Sequence, residues 1–156
     1  MHEAYRFVAC LNADRVRSRD EISAMLEQIS PRLAIRYMDI WAKPAGVCSY
    51  GEIRSFLALS LLTSGSDLFI LDEPTAGVDP EFQYYLWQAV RHACALGATV
   101  VFSSHQITEV AEHCDGFYLL HNRTFQRFEQ ANDFMAVHQA NSLSEAFMNA
   151  LNAVEH

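Results

Sequence analysis

Leu68-Phe69-Ile70-Leu71-Asp72-Glu73-Pro74-Thr75-Ala76-Gly77-Val78-Asp79-Pro80 is the stretch on which the fold turns. Four apolar residues, entered from Ser66-Asp67, have the look of a strand buried on both faces. Two carboxylates follow at once. In an open parallel sheet, ligands sit beyond the carboxyl ends of the strands, so Asp72 and Glu73 would stand at the mouth of a crevice. Neighbours on an extended chain point apart, which lets the two acids do different work. One can hold Mg²⁺, usually through water, while the other orients or deprotonates an attacking water. A strand that merely runs out into solvent also ends in acidic residues. The tight loop from Pro74 to Pro80 tips the balance toward a built site.

The flanks alternate helix and strand. Ser49-Tyr50-Gly51-Glu52 matches a capping box opening a helix to about Thr63. Phe82 to Leu96 reads as a helix with Phe82, Leu86, Ala89, Val90 and Ala93 inward and Gly97 as its stop. Ala98 to Phe102 reads as a second buried strand, and Gln106 to Cys114 as a second flanking helix. Phe117–Leu120 and Thr124–Phe128 around Asn122-Arg123 predict a hairpin, followed by a polar helical tail. Residues 1–47 read as helices, punctuated by Pro31, Lys43-Pro44 and Gly46. Their apolar stripes are Ala4, Phe7, Val8 and Leu11, then Ile22, Met25, Leu26 and Ile29, with a polar stretch from Asn12 to Asp20 between them. Strands separated by helices imply parallel pairing and an α/β class.

Composition agrees. The 156 residues are 51% apolar and 19% charged, enough to bury a core in one domain of ordinary size. Eleven basic against nineteen acidic residues give −8, which argues against nucleic acid as a partner. Cys10, Cys48, Cys94 and Cys114 form no C-x-x-C pair, so reduced thiols are expected rather than a disulfide framework or zinc knuckle. The start, Met1-His2-Glu3-Ala4-Tyr5-Arg6, is unlike a signal peptide, and no apolar run nears about 18 residues. A cytoplasmic chain without membrane insertion is expected, able to dock peripherally on a membrane protein.

Leu71 to Pro80 closely resembles the Walker B and D-loop run of ABC-type ATPases. Cys48-Ser49-Tyr50-Gly51-Glu52 resembles a divergent form of the family's signature, Leu-Ser-Gly-Gly-Gln, and Ser103-Ser104-His105 occupies the place of its H-loop. The resemblance implies a partial P-loop NTPase domain: residues 1–47 from the helical subdomain, 48–128 the signature, Walker B, D-loop and H-loop core, and 129–156 a helical tail. It implies Asp72 for Mg²⁺, Glu73 and His105 as catalytic, and Asp79 as the D-loop carboxylate. Ser49, Gly51 and Glu52 would meet ATP bound on a partner ATPase chain, with permease subunits as further partners. A helix start suits that task, because unpaired N–H groups and the helix dipole attract phosphate. Tyr50 stands where the family has its first signature glycine, and Arg54 lies one residue before the family's usual arginine position, here Ser55. The other histidines, His2, His92, His113, His121, His138 and His156, read as ordinary surface or core residues.

A phosphate-gripping Gly-x-x-x-x-Gly-Lys-Ser/Thr is absent from these residues. Lys43 is the single lysine and Pro44 follows it; Gly46 and Gly51 have the glycine spacing, but Glu52 and Ile53 come next. The resemblance therefore implies that about the first third of such an ATPase, with its Walker A strand, is not in this sequence. Two neighbouring strands would then lack main-chain partners and show apolar faces. The expected function is a truncated or split ATP-binding subunit of an ABC transporter, inactive alone and able to complete a partner's composite site. Leu86-Trp87, Gly97-Ala98-Thr99 and Thr108 to Glu112 resemble the export-type branch. The competing reading is a non-catalytic module binding a permease or ATPase. A chromosome-organising ATPase is disfavoured by the acidic charge and the lack of heptads.

Overall fold

The chain's computed structural model describes residues 1–10 and 16–152; Leu11 of the first stripe, Asn12 to Arg15 of the polar stretch, and His156 lie outside the described residues. The chain divides into two compact units, Met1–Ser103 and Ser104–His156.

The first unit holds helices α1 (His2–Cys10), α2 (Arg19–Ile29), α3 (Pro31–Ala42), α4 (Tyr50–Leu62) and α5 (Pro80–Ala95), and strands β1 (Leu68–Asp72) and β2 (Thr99–Ser103). Residues 1–47 and 48–103 share one apolar core, in which Leu26, Leu33, Tyr37, Phe56, Leu59, Phe82 and Leu86 are almost wholly enclosed. Tyr37 stacks on Phe56 at 4.6 Å between ring centroids, and its hydroxyl meets Ser60 Oγ at 2.6 Å, so the buried phenol is not left unsatisfied. Burial pushes that phenol's pKa well up, with the Ser60 bond opposing. Local rules set the helix ends. Ser18 and Glu21 close a capping box on α2, and Pro31 stands at the first turn of α3, where its missing N–H costs nothing. Helix α5 stops in a Schellman motif: Gly97, at φ 96, donates to Cys94 O at 2.9 Å, and Ala98 to Ala93 O at 3.1 Å.

Strands β1 and β2 pair in parallel, Leu68 opposite Thr99 through Asp72 opposite Ser103. Only one face is covered. Phe69 and Leu71 are buried against the core, whereas Leu68 is 55% and Ile70 75% exposed, and Val101 across from Ile70 is 53% exposed. The expected burial on both faces is corrected: Phe69 and Leu71 pack into the core of this unit, while Leu68 and Ile70 stay largely exposed. The second strand is likewise half-covered rather than buried, and begins at Thr99. In α1, Phe7 is 70% exposed, and Tyr5 with Val8 faces inward instead, because the Tyr5 ring packs at a tilt against Trp41 with centroids 4.7 Å apart and its hydroxyl donates to Arg17 O at 2.6 Å.

The second unit holds α6 (Ile107–His113), a hairpin of β3 (Phe117–His121) and β4 (Thr124–Phe128), α7 (Ala131–Val137) and α8 (Leu143–Asn152). Asn122 and Arg123, at φ 48 and 63, form the two-residue turn with both centres left-handed that hairpins favour. The tail is not merely polar: Phe134, Ala146 and Ala150 close a small core with Phe117 and Phe128.

Candidate functional site

The acidic pair sits at the carboxyl end of β1. Asp72 is the last strand residue, with an exposed side chain. The backbone then breaks from extended geometry, since Glu73 has φ 47, a left-handed conformation that is costly for a non-glycine residue. The two acids are therefore not consecutive extended residues pointing apart, and bonds from outside the loop hold the bend. Ser103 Oγ donates to Asp72 Oδ1 at 2.5 Å and accepts from the Glu73 amide at 3.0 Å, and that amide also reaches Ser103 O at 3.2 Å. From α4, Arg54 Nη2 donates to the Asp72 carbonyl at 3.0 Å and the Glu73 carbonyl at 2.6 Å, while Nη1 donates to Tyr50 Oη at 2.7 Å. A groove of about 210 Å³ has Asp72, Arg54, Leu57, Leu61 and Ile70 in its lining.

Ser49 caps α4, as the sequence predicts. Its Oγ accepts from the Glu52 amide at 3.2 Å, and the Glu52 carboxylate accepts from the Ser49 amide at 2.8 Å. Lys43 Nζ pairs with Glu52 at 2.7 Å. The bond from Lys43, then the Ser49 amide, lowers the Glu52 pKa from its ordinary value. The amides of Tyr50 and Gly51 keep no partner among the described residues, so two donors of the first turn remain open to an anion. The Tyr50 ring lies over Gly77, in the loop that follows the acidic pair.

Asp79 is engaged at home. It caps α5 by accepting from the Phe82 amide at 3.1 Å and pairs with Arg36 of α3 at 2.8 Å. The same guanidinium reaches Glu81 at 2.6 Å and lies 3.9 Å from the Phe82 ring centroid. Partial burial raises the Asp79 pKa, but the Phe82 amide and Arg36 together outweigh it, and the net shift is downward. His105 belongs to the second unit, exposed just before α6. The turn that carries it is pinned by Ser104, whose Oγ accepts from the Gln106 amide at 3.1 Å and donates to Glu109 at 2.6 Å.

The structure thus brings Asp72, Glu73 and the start of α4 together in one unit. The clamp of Arg54 and Ser103, and the Arg36 bridge, are not visible in motif spacing; the one hint is that Tyr50 and Arg54 stand four apart on a helix.

The family model described as "AAA domain, putative AbiEii toxin, Type IV TA system" matches residues 33–111. The Escherichia coli protein McbF is 36% identical over 104 residues, covering 65% of this chain and 42% of McbF. The putative ABC transporter ATP-binding protein AlbC of Bacillus subtilis is 37% identical over 79 residues, covering 51% of this chain and 33% of AlbC. A solved ATP-binding subunit of an ABC transporter superposes with a TM-score of 0.72 at 22% identity, over 94% of this chain and 60% of that one. This chain belongs to the ABC ATPase family. Its fold is that of a partial P-loop NTPase domain, and it spans less than half the length of the curated relatives just named.

Members of this family use ATP and Mg²⁺. Among the described residues no group of three or more His, Cys, Asp or Glu is gathered to hold a metal ion. The donor set fits Mg²⁺ shared between one carboxylate, water and phosphates, with Asp72 as that carboxylate; it does not fit an all-protein cage. No helix among the described residues is long and apolar enough to cross a membrane.

Proposed function

We propose that this chain is part of the cytoplasmic ATP-binding subunit of an ABC transporter, and that it contributes to a nucleotide site without gripping the triphosphate itself. What carries the reading is the exposed Asp72 carboxylate at the carboxyl end of a parallel strand, whose main-chain carbonyl Arg54 ties to Tyr50 in the first turn of α4. Asp72 would hold Mg²⁺, which lends positive charge to the phosphates. Glu73 would act on the attacking water, and His105 would take the H-loop role that the family resemblance implies. Ser49 and Gly51, with Glu52 as the capping partner, would face ATP bound by a partner ATPase chain, and Asp79 would line the shared boundary. The lone lysine, Lys43, is spent on Glu52, so phosphate must be gripped by residues other than these. Permease subunits at the membrane are the further partners of this reading, and nucleic acid is not.

The test is co-purification with an intact ABC ATPase, followed by ATP turnover of the pair. Ser49→Arg should lower the partner's turnover at least tenfold, because the added side chain obstructs the amides. Turnover indifferent to Ser49→Arg, with the complex intact, favours instead a non-catalytic binding module. The exposed Leu68, Ile70 and Val101 speak for that second reading.

A further inference from the structure

We propose that Ser103 is a positioning residue for the acidic pair, setting the rotamer of Asp72 and the bend at Glu73 through one hydroxyl. A single hydroxyl has one proton and two acceptor sites. Here the proton goes to Asp72 Oδ1 at 2.5 Å, and an acceptor site takes the Glu73 amide at 3.0 Å. The first is a short charge-assisted bond, of the kind that fixes a carboxylate's orientation. It occupies Oδ1 and leaves Oδ2 with no partner among the described residues. The second restrains an amide whose residue sits at φ 47, a conformation that persists only when its surroundings over-determine it.

The parallel register makes this arrangement available, because Asp72 and Ser103 are direct partners at the last rung of the two strands. Both side chains project on the exposed face, so the serine is not needed to fill the core. Arg54 holds the main-chain carbonyls of the same two residues from α4. Ser103 links the side chain of one acid to the backbone of the next.

The metal half of the proposal rests on the reading of Asp72 given above; the backbone half does not. The test uses the full chain, ¹⁵N-labelled, as wild type, Ser103→Ala and Ser103→Thr. Ser103→Ala is expected to speed Glu73 amide exchange several-fold while leaving Leu71 unchanged. It should also require several-fold more Mn²⁺ to broaden the Asp72 and Glu73 amides. Ser103→Thr, which keeps the hydroxyl, should restore both. Unaltered Glu73 exchange in Ser103→Ala would overturn the proposal. So would equal Mn²⁺ sensitivity in a chain whose wild type responds. If Mn²⁺ broadens neither amide even in the wild type, the metal reading fails, and the exchange arm still judges Ser103. Should Ser103→Ala unfold, Asp72→Ala removes the same bond from its other end and is read by the same exchange measurement.

Discussion

Gly51, in the first turn of α4, lies so close to Gly77 that a Cβ at Gly51 would stand 2.7 Å from the Gly77 carbonyl oxygen. That contact is between backbones, so a flexible side chain cannot relieve it. Gly51→Ala is therefore expected to destabilise the chain by about 1–3 kcal/mol, although alanine is the better helix former. Urea unfolding measures it, and a stabilised variant would contradict the packing. Gly77→Ala should cost a similar amount for a different reason: φ is 72 and the added atom would lie 3.1 Å from the Tyr50 ring.

The Lys43–Glu52 pair predicts a pH dependence with a definite sign. Glu52 is depressed below its ordinary value of 4.5, so its stabilising contribution is present above that value and is lost as pH falls through the folded pKa. The gap in melting temperature between wild type and Glu52→Gln should thus hold above pH 4.5, the ordinary value, and shrink as pH falls below it. Lys43 is raised, chiefly by its bond to Glu52, so its share is present below 10.5 and fades only as pH rises through the raised value. A gap that stays constant across the acid range would show the pair contributes nothing.

Arg36 joins α3 to the start of α5 by charge and by stacking. Its side chain is 34% exposed and its partners Asp79 and Glu81 are 45% and 51% exposed, so solvent screens the charges and the stack on Phe82 carries more. Arg36→Ala should cost about 1 kcal/mol, and Arg36→Lys should recover less than half, since an ammonium lacks the planar fork. Thermal unfolding at low and at high salt reads both parts. A loss abolished by salt would assign the whole effect to charge.

The two faces of β1 should respond oppositely to truncation. Phe69→Ala is expected to cost about 3–5 kcal/mol by opening a cavity in the core. Ile70→Ala, one residue along and 75% exposed, should stay within about 1 kcal/mol. Denaturant titration of the two variants decides whether the outer face is as open as described.

Much of the skeleton is legible in the residues. The capping box at Ser49, the glycine stop at Gly97 and the hairpin turn at Asn122-Arg123 rest on local chemistry that tertiary contacts did not override. Burial is where the residues mislead. Leu68 to Leu71 is apolar throughout, and no pattern within a four-residue run can say whether one face or two will be covered. Phe7 fails for a related reason: the stripe fits a helix, but Trp41, thirty-odd residues on, rewards Tyr5 instead. At the site, the motif gives the identity of the acids and not what holds them. Ser103 and Arg54 reach Asp72 and Glu73 across 31 and 18 residues of chain, and side-chain reach over such separations leaves no local trace.

Helix α4 touches α1, α3, α5 and β1, and nearly every turn of it contributes an enclosed residue. A rod gripped from so many sides has no surface along which it can peel away by itself. Loosening of the amino-terminal helices should reach Arg54 in the same melting event, rather than leave the Asp72 end of the sheet standing. Residues that never approach a phosphate thereby become custodians of the chemistry.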